Sequence, residues 1–157
     1  MWYYQDEIID ILDKFPKNTF GFVYKITNIC ETSPRFGYFY IGKKQLWSER
    51  NVKLSNKELA IIAEEKRPGK KPSKKKVIKE SDWLKYYGSE PEIKKDIQEM
   101  GKDNFKREII CFAFSKKQLT YLEIKNQMIF EVLEKKNTYN SNIEGRYFKK
   151  DFADWIY

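Results

Sequence analysis

The chain has 157 residues, a formal charge of +8 and no histidine. That length suits one domain with a moderate core, and the charge favours a polyanionic partner. The missing imidazole excludes Ser-His-Asp and Cys-His nucleophiles and His-ligated zinc. The two cysteines, Cys30 and Cys111, form no CxxC pattern. They exclude a Cys-rich zinc module and suit reduced thiols inside a cell. The start lacks a basic region and an apolar run, so it does not read as a secretory signal. No apolar stretch approaches the length of a membrane span. A soluble intracellular protein is the expectation.

Tyr4, Ile8, Ile11, Leu12 and Phe15 recur at helical spacing, with acids opposite and Pro16 closing the segment. They predict an amphipathic helix over residues 1–16. Two strands of period two follow, Phe20 to Ile26 and Tyr38 to Lys44. Asn28, Pro34 and Gly37 mark a long hairpin loop between them. Residues 46–80 form a basic excursion. Ser55-Asn56-Lys57-Glu58 resembles a capping box before a short helix. From Lys66 to Lys79 there are eight cations and no acid, broken by Pro68, Gly69 and Pro72. That run suits either a solvated loop or a flexible arm following a phosphate backbone.

Glu92 to Met100 predicts a helix ending at Gly101. Phe105 to Phe114 reads as a buried strand. Ser115 to Gln118 resembles a second capping box, opening a helix to about Lys135 with Leu119, Leu122, Ile129 and Leu133 as its stripe. An aromatic tail occupies residues 143–157. The expected fold is a single α+β domain, a small three-stranded, mostly antiparallel sheet flanked by helices.

Antiparallel pairing of the two strands puts Tyr24 near Tyr40. Gly42 then leaves backbone open beside them, and Lys43 and Lys44 bring charge to the strand end. Two phenols, bare backbone and paired ammonium groups suit a phosphate. Phe22-Val23-Tyr24 with Tyr40-Ile41-Gly42 resembles the paired signature of the GIY-YIG endonuclease family. The first element departs from the name, and Gly21 sits just before it. The second is intact. The resemblance covers roughly residues 20–142 and implies the same small sheet-and-helix fold.

Glu123 lies on or beside the predicted helix stripe, where an unpaired carboxylate is costly. By spacing alone it is either a glutamate snorkelling to water or a carboxylate held for chemistry. Tyr121-Leu122-Glu123 with Gln127 resembles the family's helix bearing a metal-binding glutamate. The resemblance implies that Glu123 binds one divalent ion, Mg²⁺ as the expected metal. It casts Tyr24 as general base and Tyr40 as its partner at the water or phosphate; a cross-strand aromatic pair is the other reading of the two rings. The family's arginine falls at Arg50 by distance, with Lys44, Lys79 and Lys85 as rivals. Asn140 matches the family's asparagine, bonding a phosphate oxygen or holding the active-site loop; a local turn suits it equally.

Trp83 to Ser89 resembles a stretch of phage-encoded members. Trp83 is read there as stacking on bases or packing on the sheet. The DNA-binding expectation covers Lys43, Lys66, Arg67, Lys70, Lys71, Lys74, Lys75, Lys76, Lys79 and Trp83. The implied activity is hydrolysis of double-stranded DNA by an endodeoxyribonuclease, in the manner of a phage homing endonuclease in the cytoplasm of a bacterial host. A homodimer on DNA would allow double-strand cleavage. The rival is a non-catalytic basic nucleic-acid-binding protein on the same fold.

Overall fold

The computed structural model describes residues 1–64, 69 and 72–155. In chain order the elements are β1 (Trp2–Tyr4), β2 (Glu7–Ile9), β3 (Gly21–Asn28), β4 (Phe39–Gln45), β5 (Trp47–Lys53) and α1 (Asn56–Glu64). Then come β6 (Lys74–Glu80), α2 (Pro91–Met100), β7 (Phe105–Ala113), α3 (Lys116–Ile129), β8 (Asn142–Ile143) and β9 (Tyr147–Phe148). Short 3-10 turns fill several of the connections. Residues 1–46 with 82–157 form one compact unit, and residues 47–81 form another.

The first unit is built on a mixed five-stranded sheet in the order β2-β1-β7-β3-β4. Three of these strands, β7, β3 and β4, are the expected antiparallel set. The other two replace the helix expected over residues 1–16. Gln5 and Asp6 both adopt left-handed backbone, φ 49° and 68°, and join β1 to β2 as a tight hairpin. β1 pairs parallel with β7, Trp2 opposite Arg107. Trp2 is fully buried, and its indole N–H donates to the Trp83 carbonyl at 2.9 Å. Sheet pairing and this aromatic burial outweigh a helical spacing that carries only weak intrinsic propensity.

β3 lies between β7 and β4, and most of its side chains are buried, on both faces. Phe22, Tyr24 and Ile26 face a core with Trp2, Phe15, Trp83, Ile93 and Ile97. Val23 faces a second core with Ile41, Leu119, Val132 and Leu133, beneath α3. The alternation of the strand thus assigns each residue to one of two layers.

Both expected caps form. The Ser115 hydroxyl accepts from Gln118 N at 3.1 Å, and Ser55 and Glu58 bond each other's backbone N–H groups. α2 begins on Pro91 and stops at Gly101, φ 88°. α3 stops at Ile129, earlier than expected, because the chain turns through Glu131 at φ 52°. Ile129 is exposed, and Leu133 reaches the core from that turn. The expected tail folds as the β8–β9 hairpin and a 3-10 segment, Lys149–Trp155.

In the second unit, β5 and β6 pair antiparallel over Trp47–Lys53 and Lys74–Glu80, with α1 between them in sequence. The expected flexible arm is therefore, over Lys74 to Lys79, a strand. Among the described residues no helix is long and apolar enough to cross a membrane.

One buried network ties the β3–β4 loop to α2 and the C-terminal segment. Asp96 accepts from Arg35 Nη1 at 3.0 and 3.2 Å and from the Tyr139 hydroxyl at 2.8 Å. Asn28 Nδ2 donates to the Tyr139 oxygen at 3.1 Å. Asp96 is buried while Arg35 is half-exposed, so removing the carboxylate costs less than for a wholly buried pair. Asp96→Ala is expected to lower unfolding free energy by about 2 kcal/mol in urea denaturation.

Candidate active site

Tyr24 and Tyr40 lie on one face of the β3–β4 pair, ring centroids 6.1 Å apart. Gly42 sits opposite Tyr24 in the ladder. A Cβ on Gly42 would come within 2.6 Å of Tyr24 Oη and 2.7 Å of Tyr40 Cε1. The two rings therefore rest on bare backbone, and glycine is the residue that admits them.

The segment after the second unit completes this face. Tyr40 Oη and Ser89 Oγ are 3.2 Å apart, and Gly88 packs against the Tyr40 ring with φ 89°. The Tyr86 ring stands nearly perpendicular to that of Tyr24, ring centroids 6.0 Å apart. Lys44 Nζ lies 4.0 Å from the Tyr86 ring centre and 2.5 Å from Asp82 Oδ1. Lys44 holds the Asp82 carboxyl below its usual range.

Tyr86 was not singled out by sequence reasoning. Its signal was the aromatic pair in Lys85-Tyr86-Tyr87-Gly88-Ser89. Trp83, expected at DNA, is instead a buried core residue, because its ring fills the space between Phe15 and Phe22. Arg107 was missed as well. Its Nη1 donates to the carbonyls of Leu84 at 3.0 Å and Tyr86 at 2.8 Å. Its guanidinium lies over the Tyr87 and Trp2 rings at 4.0 and 4.6 Å. Burial lowers its pKa. Arg107 is a positioning residue for the Tyr86 segment.

Burial pushes Tyr40 up to about 12 and Tyr24 well above the ordinary phenol range, the neighbouring phenols adding to the latter. Both are protonated at neutral pH, as a free phenol is, so the expected role of Tyr24 as a base requires a cation or a metal-bound water beside it to withdraw its proton. Each is a hydrogen-bond donor held in place.

Lys43, one residue beyond Gly42, points to the other face of the strand, toward α3. Its Nζ lies 2.8 Å from Glu123 Oε2, 2.8 Å from Glu144 Oε1 and 3.2 Å from Thr120 Oγ1. It does not present a free charge to DNA, as had been expected; the two carboxylates hold it. Burial pushes the Glu123 carboxyl up, and Lys43 offsets this only in part. Lys43 holds the Glu144 carboxyl down. Burial works against the Lys43 ammonium, but the two glutamates more than compensate and raise its pKa. The Glu123 charge also raises both Tyr24 and Tyr40, so the two halves of the site lie within electrostatic reach around the edge strand β4.

Glu144, φ 51°, and Gly145, φ 62°, form the left-handed turn of the β8–β9 hairpin. That turn brings Glu144 to Lys43. The signal in sequence was a lone Glu-Gly pair after Ile143.

Asn140 is buried and spends its amide on β4. Its Oδ1 accepts from Ile41 N at 2.9 Å, and its Nδ2 donates to Ile41 O at 2.8 Å. Gln127 Nε2 donates to the same carbonyl at 3.2 Å. The structure gives Asn140 a role outside those expected, holding strand β4 at Ile41.

Arg50 lies on β5 in the second unit and is exposed, as are Lys74, Lys75, Lys76 and Lys79 on β6. Lys66, Arg67, Lys70 and Lys71 lie outside the described residues. Within the first unit, the cations brought to the site are Lys43 and Lys44.

A family profile described as "Putative endonuclease segE, GIY-YIG domain" matches residues 2–148. The chain belongs to the GIY-YIG endonuclease family, in its segE type. No curated protein and no solved structure matches it. In this GIY-YIG chain the first element reads Phe22-Val23-Tyr24, and Phe22 is a core residue packed on Trp2 at 5.0 Å. The departure from glycine serves the enlarged aromatic core built by β1.

Two outcomes follow from this geometry. Gly42→Ala forces both rings aside, which should cost about 1–3 kcal/mol of stability and disorder the phenols; a melting curve checks the first. The raised phenol pKa values favour the folded state below about pH 10, and that stability falls as pH climbs through the range where free phenols ionise. Tyr24→Phe and Tyr40→Phe should each leave the tyrosinate absorbance gained below about pH 11 unchanged, since neither phenol ionises there.

Proposed function

We propose that the chain hydrolyses phosphodiester bonds of double-stranded DNA with a divalent metal ion. The observation that carries this reading is Glu123: a largely buried carboxylate, paired with Glu144 across Lys43, around the strand edge from two neutral phenols. A purely structural surface pair would have no need of that burial.

Among the described residues there is no group of three or more His, Cys, Asp or Glu side chains suited to hold a metal. The two carboxylates still fit Mg²⁺, which takes one or two protein oxygens and completes its shell with water and phosphate. The Lys43 ammonium between them shows that the point favours positive charge, and a metal ion bound there would have to displace it from Glu123. Glu123, with Glu144 beside it, would hold the ion, which supplies charge stabilisation at the phosphate oxygens.

The chain's own groups divide the remaining work. Tyr40 and Tyr24, as neutral donors, orient the attacking water and a phosphate oxygen, and Tyr86 extends Tyr24 toward solvent. Lys44 offsets negative charge developing on phosphorus. Asp82 is its resting partner and is exposed, so incoming phosphate competes with a screened ion pair. By family resemblance the products carry 5′-phosphate and 3′-hydroxyl ends. The basic second unit supplies affinity that falls with salt. We place the activity in a bacterial cytoplasm, as that of a phage homing endonuclease, with a homodimer pairing two single-strand cuts.

One observation favours a second reading. Lys43 already satisfies Glu123, so the ion pair could be an end in itself in a non-catalytic DNA-binding protein. Supercoiled plasmid separates the two. With Mg²⁺ the wild type should nick or linearise it, and chelator should abolish this. Glu123→Gln should reduce the rate at least about 100-fold. Retarded but uncut plasmid and genomic DNA in every lane would support the binding protein instead.

A further inference from the structure

The ribbon of the second unit has seven residues in each strand and not one that is buried. α1 buries none of its side chains either. Two strands alone are marginal in water, and here Val52, Val77 and Ile78 remain exposed on them. The ribbon is thus built with backbone pairing but without a core of its own. What it offers instead is charge. Arg50, Lys53, Lys74, Lys75, Lys76 and Lys79 stand against only Glu49 and Glu80 on the two strands.

The register sorts these residues by face. Lys53 opposite Lys74, Asn51 opposite Lys76, and Glu49 opposite Ile78 share one side. Lys75 belongs to the other side, where its Nζ pairs with Glu58 of α1 at 2.5 Å. The helix is therefore tied to the Lys75 side, and the Asn51–Lys76 side is the one turned away from that contact. The Lys76–Glu49 ion pair on this side, at 3.5 Å, is exposed and weak.

A two-stranded ribbon fits the major groove of B-DNA. Seven residues span roughly 23 Å, about six or seven base pairs of groove. The middle of the free side has the chemistry for reading base edges: an amide suited to adenine, an ammonium suited to guanine, and Ile78 as an apolar surface for a thymine methyl. Lys53 and Lys74 stand at the end of the ladder, where phosphates would flank the groove.

We propose that the β5–β6 ribbon reads sequence in the major groove of duplex DNA, with Asn51 and Lys76 at the base edges and Lys53 and Lys74 on phosphates. This rests on DNA being the partner of the family's nuclease domain. It adds where and how sequence is read, in place of a flexible arm that only follows the backbone.

The test uses the full chain carrying Glu123→Gln and measures binding alone. Selection from a randomised duplex pool should enrich a short motif. Asn51→Ala and Lys76→Ala should each relax one or two adjacent positions, with about tenfold loss on the selected site. Lys74→Ala should weaken all sequences alike and reduce the salt slope by about 1. The major-groove ligand methyl green should displace the protein, whereas the minor-groove ligand netropsin should not. The proposal is overturned if no motif is enriched, if the motif survives Asn51→Ala and Lys76→Ala unchanged, or if netropsin alone competes. Equal affinity for duplex RNA, whose deep groove excludes a ribbon, would also overturn it. Circular dichroism of each variant confirms that the fold is kept. Because no cleavage is read, a chain that selects DNA through Asn51 yet never cuts upholds the ribbon and sinks the nuclease. One that cuts but selects without Asn51 does the reverse.

Discussion

The site depends on how the chain closes the open side of β4. An edge strand leaves alternate N–H and C=O groups without a ladder partner, and these must be satisfied or the strand is free to slip or recruit another chain. Here a side chain does the work of a strand. Asn140 returns both an acceptor and a donor to Ile41, and Gln127 adds a second donor to the same carbonyl. Since side chains alternate along a strand, fixing Ile41 fixes its neighbours too. Tyr40 and Gly42 are held to one face, and Lys43 to the other.

That alternation explains how one short stretch serves two environments. On the tyrosine face, burial suppresses ionisation and keeps the hydroxyls as donors. On the α3 face, burial also disfavours charge, yet Lys43 and two glutamates meet there and stabilise one another. Two carboxylates against one ammonium leave a net negative charge, which favours a further cation and repels an unaccompanied phosphate. The tyrosine face, with the largely buried Lys44 at its rim, has the opposite bias. A phosphate bridging the two faces would need a cation on the carboxylate side, which is the physical argument for a metal at Glu123.

Much of this was legible from the residues. Strands β3, β4 and β7 announced themselves by period two or by dense apolar runs, and the Ser55–Glu58 capping box formed as written, whereas Gln118 accepts from the Phe114 N–H in place of that of Ser115. The errors came where local pattern and tertiary context disagree. Residues 2–15 carry helical spacing, but two residues tolerant of left-handed backbone and one large indole made a hairpin more favourable. The end of α3 was masked because Leu133 keeps the stripe's spacing while reaching the core from a turn. Trp83 was read either as stacking on bases or as packing on the sheet; the fold decides for packing, because its ring is enclosed. Glu144, Tyr86 and Arg107 lacked any spacing relation to the tyrosine motifs. They come to the site through a hairpin turn, a 3-10 turn and a strand from the far side of the sheet, which no local pattern encodes.

The point at which the second unit joins the first bears on how binding could reach the chemistry. The chain leaves the first unit just after Leu46, which is buried and donates its N–H to Phe20 O at 2.9 Å. It returns at Asp82, the partner of Lys44. One end of the insertion is therefore fastened two residues from Lys44, through the backbone, and the other through an ion pair with Lys44 itself. Any movement of the insertion would pull on its two points of attachment, Leu46 and Asp82. Leu46 is locked into the core and resists. Asp82 is held only by an exposed pair, which solvent screens and an incoming phosphate opposes. The weaker anchor is thus the one whose release would free Lys44 while Arg107 keeps the adjoining Tyr86 segment in place. An insertion joined elsewhere in the first unit would have no such connection to Lys44.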